Sequence, residues 1–533
     1  MDTIIKEKNL SVQAFLIGGG IASLAAAVTL IRDGGIQGCN ITILEEADIM
    51  GGSMDGAGEA DKGYVVGGGR MLNFTYYCTY DLLSEIPSLV NPGKSVTEET
   101  HEFNDKVKTH ANARLVDSEA NIVDVSSLGF SKNDRIRLME LSAMPEEALG
   151  IKNINDWFSP HFFTTSFWFM WASMFAFEPW HSLVEFKRYT LRFIHEITRI
   201  NTLAGVDRTV YNQYDSIVLP IIRWLEGNGV NFMMGARVTD INFSETTDKK
   251  FTAKKILYSQ GNKDKLIDVK ESDLVFVTNG SMTSNSTLGS HNTAPQTNIK
   301  KDDGAWALWK TLAPKKPGFG NPHNFSDRII ESTWESFTVT NKGKLFFELM
   351  EKFSNNTAGT GALVTFKDSN WMLSIVLAYQ PHFINQPEEV TVFWGYGLYP
   401  NMKGYYVNKK MNECTGEEIL LELINLLKFN DHEEEILSQA NCIPCMMPYI
   451  TAQFLTRAKG DRPQVIPEGS TNFAFIGQFT EVPDDVVFTV EYSVRTAQTA
   501  VYGLLGLDKK PPEIYMGQNH PGVIYKAIKA LHA

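Results

Sequence analysis

Hydrophobic and polar positions at the start of the chain follow the order strand, turn, helix, strand. Three apolar residues at 15–17 run directly into glycines at 18–20. An alanine-rich stretch with apolar residues at helical spacing continues to Arg32 and ends at a glycine pair. A second apolar run over 41–44 ends at the acidic Glu45. This order predicts a βαβ unit, because two parallel strands need a crossover helix between them.

The glycine turn of this unit is typical of proteins that bind a dinucleotide. Gly18 and Gly20 permit a tight turn and a close approach of the backbone to a pyrophosphate. The helix that starts at Ile21 and Ala22 presents free amides to the phosphate charge. Ser23 occupies the usual third-glycine position, where a small residue lets the helix pack closely on the strand.

Acidic and glycine residues after the second strand specify the cofactor further. A carboxylate at Glu45, which Glu46 follows, can accept hydrogen bonds from both ribose hydroxyls and would repel a ribose 2′-phosphate. The segment Gly51-Gly52-Ser53 comes next. A second glycine pair at this distance is typical of FAD proteins of the amine-oxidase type. Glycines before a helix, taken alone, can also form a simple turn that binds no cofactor. The context favours FAD as the cofactor.

Three later segments predict further contacts with the same cofactor. Residues 229–241 predict a strand, a turn and a second strand, the kind of segment that covers an adenine. Residues 273–281 and 472–479 each predict a short parallel strand that ends in a small-residue turn. The predicted contacts in these segments are Val238, Asn279, Gly280, Ser281 and Gly477, together with Ser493 in the following helix.

These segments lie far apart in the chain, so the cofactor domain has to be discontinuous. The predicted fold class is α/β, with a Rossmann-like FAD-binding domain of amine-oxidase or glutathione-reductase type, a mixed α+β substrate domain and a helical cap. Strand-like runs at 344–347, 371–376 and 390–394 belong to the substrate domain. The predicted division is 1–95, 205–300 and 455–510 for the cofactor domain, 96–204 for the mainly helical cap, 301–454 for the substrate domain and 511–533 for a helical tail.

Composition excludes some classes of function. With 533 residues, of which 43% are hydrophobic, the chain is long enough for two or three domains. A net charge of −13 argues against nucleic acid as a partner, and no metal site is predicted.

Five cysteines and a start without an apolar secretion core indicate the cytoplasm. Cys442 and Cys445 have the spacing of a redox dithiol, but packed thiols are favoured.

Two segments raise the question of membrane contact. Residues 162–177 are uncharged and aromatic, but a membrane span needs about 20 apolar residues, so a buried helix is predicted. Residues 522–531 predict a short basic amphipathic helix. Packing on the domain is favoured for this helix, with weak peripheral contact with a membrane as the alternative.

Several longer segments carry a resemblance to a known family. They are Gly20-Ile-Ala-Ser-Leu-Ala-Ala-Ala, Gly51-Gly-Ser-Met-Asp-Gly56, Met174-Phe-Ala-Phe-Glu-Pro-Trp-His-Ser182, Phe186-Lys-Arg-Tyr189, Tyr211-Asn-Gln-Tyr-Asp-Ser216, Gln380-Pro-His-Phe383 and Met447-Pro-Tyr-Ile-Thr451. With these segments the chain resembles the oleate hydratases, FAD-containing fatty acid hydratases once called myosin-cross-reactive antigens. The resemblance implies a hydro-lyase that adds water to the cis-9 double bond of oleate, giving 10-hydroxystearate without net redox change. The implied partner is a long-chain cis-unsaturated free fatty acid, and the implied assembly is a monomer or a homodimer.

The resemblance also implies catalytic residues. Tyr189 matches the tyrosine thought to protonate the alkene, although a tyrosine at this helical position can also simply pack in a core. Met71 stands where the family commonly has a water-activating glutamate, and a thioether cannot take a proton from water near neutral pH. Asn73 and the backbone of the glycine turn are the remaining candidates for holding the water, with Arg70 as a source of positive charge. The turn residues Gly68, Gly69 and Arg70 are also predicted to contact the cofactor.

Recognition of the substrate carboxylate is only partly retained. Gln213 and His382 match residues that contact the fatty acid head group, whereas Val376 and Ala378 replace the family's threonine and asparagine. This loss leaves three interpretations: the carboxylate binds elsewhere, binds more weakly, or belongs to another fatty acid. An FAD-dependent oxidoreductase of amine-oxidase architecture acting on an apolar substrate is the alternative function, and a non-catalytic fatty-acid-binding protein is a third.

Overall fold

The fold is described from a computed structural model over residues 11–69, 71–297 and 304–532. The strands are β1 (Ala14–Ile17), β2 (Ile41–Leu44), β3 (Gly56–Glu59), β4 (Gly63–Val66), β5 (Leu72–Asn73), β6 (Leu115–Val116), β7 (Val206–Asp207), β8 (Asn231–Met233), β9 (Arg237–Glu245), β10 (Phe251–Gln260), β11 (Lys263–Asp268), β12 (Leu274–Thr278), β13 (Thr287–Leu288), β14 (Trp334–Lys342), β15 (Val364–Phe366), β16 (Ser374–Val376), β17 (Val390–Gly397), β18 (Ala440–Met447) and β19 (Phe473–Ile476). The α-helices are α1 (Ile21–Arg32), α2 (Tyr77–Ser84), α3 (Val96–Lys106), α4 (Lys132–Ala143), α5 (Glu146–Leu149), α6 (Ser166–Phe175), α7 (Leu183–Arg192), α8 (Leu219–Gly227), α9 (Gly304–Leu312), α10 (His323–Ser326), α11 (Ile329–Ser332), α12 (Leu345–Ser354), α13 (Gly416–Leu426), α14 (Glu433–Gln439), α15 (Val490–Leu505) and α16 (Pro521–His532).

Five parallel strands form a sheet in the order β19–β12–β1–β2–β8. Leu16 in β1 pairs with Phe276 on one side and with Ile43 on the other. Strands from the beginning, the middle and the end of the chain therefore meet in one sheet. Because they run in the same direction, the turns that follow them lie along one edge. The α/β fold class with a Rossmann-like parallel sheet is confirmed.

Helix α1 packs between this sheet and helix α15. Ala25, Ala26 and Ala27 of α1 are completely buried. Their small side chains let the helix approach its neighbours closely, which explains the alanine-rich sequence between the two strands. At the end of α1, Asp33 accepts a hydrogen bond of 2.8 Å from the hydroxyl of Tyr502 in α15. The glycine turn before α1 is therefore held by a rigid helix pair.

A second, mixed sheet has the strand order β13–β18–β14–β17–β16–β15–β6. The run at 390–394 lies in β17, and the run at 371–376 ends in β16. The prediction of a strand at 344–347 is wrong, because these residues form the start of helix α12. Its Phe346 and Phe347 pack with Met350, one turn further on, against the sheet. A four-residue apolar run fits a strand and a buried helix equally well, and the residues beyond it decide the outcome.

The two sheets exchange elements across the predicted domain boundaries. Strand β13 belongs to a predicted cofactor segment and pairs with β18 of the mixed sheet. Helix α9 belongs to the predicted substrate segment, and its Leu308 and Leu312 pack in a core cluster with Phe475 of the parallel sheet. The division into domains stays a prediction.

The aromatic segment 162–177 lies inside the protein. Phe162, Trp168 and Trp171 are almost completely buried, and Phe162 packs edge-on against Phe186. The helix in this segment, α6, has ten residues. Over the described ranges, no helix combines the length and the apolar character that crossing a membrane requires. The predicted buried helix is confirmed, whereas membrane contact of the tail helix α16 stays a prediction.

Glu335 in β14 is an acidic residue inside the mixed sheet. It is completely buried, and neither carboxyl oxygen has a hydrogen-bond partner among the described residues. Burial raises the pKa of Glu335 well above its usual range, because the charged form is poorly solvated there.

We expect Glu335→Gln to increase the free energy of unfolding, with a gain that grows with pH. Above pH 4.5 the folded protein has to keep Glu335 protonated, whereas the unfolded chain releases the proton. The variant therefore gains up to about 1.4 kcal/mol per pH unit over the wild type. Chemical unfolding at several pH values measures this gain, with the exposed Glu468→Gln as the matched control. A gain that does not depend on pH would show that Glu335 is ionised in the fold.

Candidate functional site

A cavity of about 410 Å³ lies along the edge of the parallel sheet where the strands end. We call it the cofactor cavity, after the predicted cofactor contacts that line it. It is formed by the turns after β1, β2, β12 and β19 and by the start of α15. The predicted cofactor contacts that line it are Gly18, Gly20, Ile21, Ala22, Glu45, Glu46, Gly52, Ser53, Val238, Asn279, Gly280, Ser281, Gly477 and Ser493. The structure thus brings together residues from four distant segments of the chain.

The glycine turn leaves an open space at the start of α1. Gly18 has a φ of +94°, a backbone angle that residues with a side chain rarely adopt. A Cβ at Gly20 would meet no atom within 4 Å. Gly20 is also the N-cap of α1, and no side chain caps this helix end. The first amides of α1 are therefore available to an anionic group in the cavity.

Two polar side chains of the cavity fit a dinucleotide. Glu45 receives hydrogen bonds from the amides of Gly19 at 2.5 Å and Ala47 at 2.8 Å, so its carboxylate stays beside the glycine turn. Asn279 is 1% exposed. Neither polar atom of the Asn279 amide has a hydrogen-bond partner in the described part of the chain. A buried amide without partners is costly, and a polar ligand in the cavity would satisfy it.

Other predicted cofactor residues lie beside the cavity rather than in its wall. Ser23 hydrogen-bonds through its hydroxyl to Thr278 at 3.2 Å, between helix α1 and the sheet. The amide of Gly51 donates to the carbonyl of Gly19 at 2.9 Å. Gly68 and Gly69 line two further pockets. Arg70 lies outside the described residues.

A second pocket of about 80 Å³ adjoins the cofactor cavity, because Ser53 and Thr283 line both. Its wall is mostly apolar and aromatic, and it includes Tyr189 and Met71. Tyr189 lies in α7, which begins where the Ser182 hydroxyl accepts a hydrogen bond from the Glu185 amide. Local capping and the apolar face of this helix thus direct the phenol into the pocket.

The Tyr189 phenol is completely buried, and its oxygen accepts a hydrogen bond of 2.9 Å from the Phe488 amide. Burial raises the pKa of Tyr189 well above its usual range, and the Phe488 amide opposes this rise. The phenol therefore remains protonated at neutral pH. The amide nevertheless stabilises the phenolate that forms when the proton leaves, so the arrangement suits a proton donor.

Asn73 is not among the residues that line the two pockets containing Met71. Its amide nitrogen donates to the Glu196 carboxylate at 2.8 Å and to the Gly205 carbonyl at 3.1 Å. Its amide oxygen accepts hydrogen bonds from the amide and the hydroxyl of Thr75. Asn73 thus joins strand β5 to the segment around residue 200, and its placement does not support the predicted contact with a reacting water.

A third pocket of about 70 Å³ shares Gly68, Gly69, Met71 and Trp394 with the second pocket. The four predicted substrate contacts, Gln213, His382, Val376 and Ala378, all line it. Burial lowers the pKa of His382 to about 4, so its imidazole is neutral at neutral pH. Sequence reasoning missed Arg208 in this wall, because no local pattern marks an isolated arginine as part of a pocket.

Cys442 and Cys445 lie in β18 as free, buried thiols. Burial raises the pKa of Cys445 to about 12 and raises that of Cys442 well above its usual range. Both thiols are therefore protonated and unreactive at neutral pH. This arrangement fits the packed thiols that the sequence favoured.

The parallel sheet, the glycine turn and the adjoining cavity define the class of the fold. It is similar to an oxidoreductase from Methanosarcina mazei, with a TM-score of 0.51 and 12% identity, covering 92% of this chain and 99% of that chain. It is also similar to cyclohexylamine oxidase from Brevibacterium oxydans IH-35A, with a TM-score of 0.52 and 13% identity, covering 93% of this chain and 99% of that chain. At such low identity these similarities establish the fold alone.

The chain belongs to the MCRA family, whose model matches residues 11–502. It is 42% identical over 529 residues to an oleate hydratase from Streptococcus pyogenes serotype M49 (strain NZ131), covering 97% of this chain and 89% of that protein. It is 38% identical over 539 residues to a linoleate hydratase from Lactiplantibacillus plantarum, covering 93% of this chain and 94% of that protein. The family predicted from the sequence motifs is confirmed.

We expect Asn73→Ala to lower the free energy of unfolding by about 1–3 kcal/mol, because the Glu196 carboxylate and the Gly205 carbonyl lose a buried donor. Urea unfolding measures the change, and Asn242→Ala on an exposed strand position is the matched control. A variant with wild-type stability and no catalytic activity would instead place Asn73 at the reacting water.

Proposed function

We propose that this protein is an FAD-containing hydratase that adds water to the cis-9 double bond of oleate and forms 10-hydroxystearate. One observation carries this proposal: the buried phenol of Tyr189 faces a pocket that adjoins the cofactor cavity on one side and, on the other, the third pocket, which contains Arg208 and Gln213. The similarity to oleate and linoleate hydratases over almost the whole chain supports the same reaction.

FAD would bind along the glycine turn and the start of α1. The amides of Ile21 and Ala22 would donate to the pyrophosphate, and Glu45 would accept hydrogen bonds from the ribose. Asn279 would pair with a polar group of the cofactor. When bound, FAD supplies polar and charged groups next to the second pocket, without net oxidation or reduction of the substrate.

The chemical step assigned to Tyr189 is protonation of the alkene. The phenol gives its proton to C9 of oleate, and the positive charge that develops at C10 is attacked by water. The water then loses a proton, which restores the phenol. Protonation is the difficult step, because an isolated alkene is a weak base. Stabilisation of the departing phenolate by the Phe488 amide therefore lowers the barrier directly.

Met71 leaves this reaction without a carboxylate at the usual position for water activation. Water needs little activation once a carbocation develops beside it, so its position matters more than its basic partner. Backbone groups of the glycine turn at 67–69 are our candidates for holding it, since this turn lines the pocket next to Met71.

We expect Tyr189→Phe to abolish hydration with little change in FAD content, because phenylalanine keeps the packing and removes the proton donor. The measurement is mass spectrometry of products formed from oleate in deuterated water, with and without a flavin reductant. Wild-type protein should give 10-hydroxystearate with one carbon-bound deuterium and no oxygen consumption. Tyr525→Phe, at an exposed position of the tail helix, is the matched control.

Two other outcomes would contradict this proposal. Bleaching of the flavin by the substrate, without a hydroxy product, would indicate an oxidoreductase. Hydration that survives in Tyr189→Phe would assign the proton to another group.

We expect Asn279→Leu to weaken FAD binding about 3- to 10-fold. Leucine is similar in size to asparagine but offers the cofactor no hydrogen bond. Titration of flavin-free protein with FAD, followed by flavin fluorescence, measures the affinity. Asn242→Leu serves as the control. An unchanged affinity would remove Asn279 from the cofactor site.

Location and assembly complete the proposal. The low cysteine content supports the cytoplasmic location that we propose. The assembly we propose is a monomer or a homodimer.

A further inference from the structure

The third pocket contains polar atoms that have no partner. Nε and Nη2 of Arg208 and both polar atoms of the Gln213 amide are shielded from solvent and make no hydrogen bond within the described residues. Gln213 is only 4% exposed. Buried donors without acceptors destabilise a fold, so a pocket that collects several of them points to a ligand that satisfies them.

The charge in this pocket is positive, and two nitrogens of the group that carries it have no partner among the described residues. Among the described residues that line it, Arg208 is the one with a permanently charged side chain. Burial lowers the pKa of Arg208 to about 10, so the guanidinium is still charged at neutral pH. His382 adds no charge, because burial and the nearby Arg208 both lower its pKa. Within the described residues, neither Nε nor Nη2 of Arg208 hydrogen-bonds to a carboxylate.

We propose that Arg208 binds the fatty acid carboxylate through an ion pair with two hydrogen bonds, and that Gln213 donates a further hydrogen bond. This assignment rests on the proposed function. The two unpartnered nitrogens, Nε and Nη2, form one edge of the guanidinium plane, and this edge matches the two oxygens of a carboxylate. A neutral alcohol or ester head group could not neutralise the buried charge.

The same pocket explains how the substrate carboxylate is recognised without the usual polar residues. Val376 and Ala378 line the wall together with Arg208. Neither side chain can donate a hydrogen bond, so the donors have to come from other residues of the wall, such as Arg208 and Gln213. The geometry thus adds an interpretation to the three left by the sequence: the carboxylate binds in the expected pocket, with Arg208 in place of the missing polar residues.

Binding of stearate, a saturated acid that cannot be hydrated, tests this assignment separately from turnover. Arg208→Met keeps much of the side-chain length and removes the charge. We expect it to raise the Kd for stearate about 10- to 100-fold, measured by calorimetry on the FAD-loaded protein. Arg223→Met is the matched control, because Arg223 is 61% exposed and pairs with Glu226 at the surface. An unchanged Kd in folded Arg208→Met would overturn the assignment.

A second measurement needs only the wild-type protein. Stearate should bind at least about tenfold more tightly than octadecan-1-ol, because the alcohol leaves the guanidinium unpaired. Equal affinities would overturn the role of Arg208 whatever the activity of the protein. A wild type that discriminates between these ligands but forms no hydroxy acid from oleate would contradict the proposed reaction and still support this binding role.

Discussion

Contact between two glycine turns is the constraint on which the arrangement of the pockets depends. The amide of Gly51 donates to the carbonyl of Gly19 at 2.9 Å, and a Cβ at Gly52 would lie 3.2 Å from the Cα of Gly20. Backbones can approach so closely only where side chains are absent. From this contact the chain continues along the cofactor cavity through Ser53 and Asp55, and Gly68 and Gly69 further on line both the second and the third pocket.

A network of buried charges fixes the proton donor relative to its hydrogen-bond partner. Asp485 pairs with Arg495 at 2.8 Å and lies 3.5 Å from Arg192. Arg192 belongs to the same helix as Tyr189, and Asp485 precedes the loop that contains Phe488. The phenol and the amide that bonds it are therefore tied to one ion-pair network. Paired in this way, buried charges can hold a geometry that apolar packing alone would leave adjustable.

Local sequence patterns were sufficient to predict the parallel sheet and its glycine turn. The βαβ unit can be read from residues 15–45 because turn, helix and strand each have their own spacing, and the later strands repeat its pattern. The same reasoning failed at 344–347, where a short apolar run has no distinctive period. It also could not reveal Arg208, because the pocket around this residue is completed by Trp394 and His382, almost two hundred residues away. Burial of a charge is a property of the tertiary structure.

The replacement of the usual glutamate by Met71 changes where negative charge is available in the proposed reaction. In the proposed complex Arg208 pairs with the carboxylate at C1, which is remote from C10, so the guanidinium does little to destabilise the carbocation. Since the Met71 thioether carries no charge, the phenolate of Tyr189 becomes the anion nearest to the developing cation. Proton transfer then creates both charges of an ion pair inside a pocket whose wall is mostly apolar. Electrostatic attraction within such a pair is strong at low dielectric, so the acid itself takes over part of the stabilisation that a carboxylate would otherwise supply.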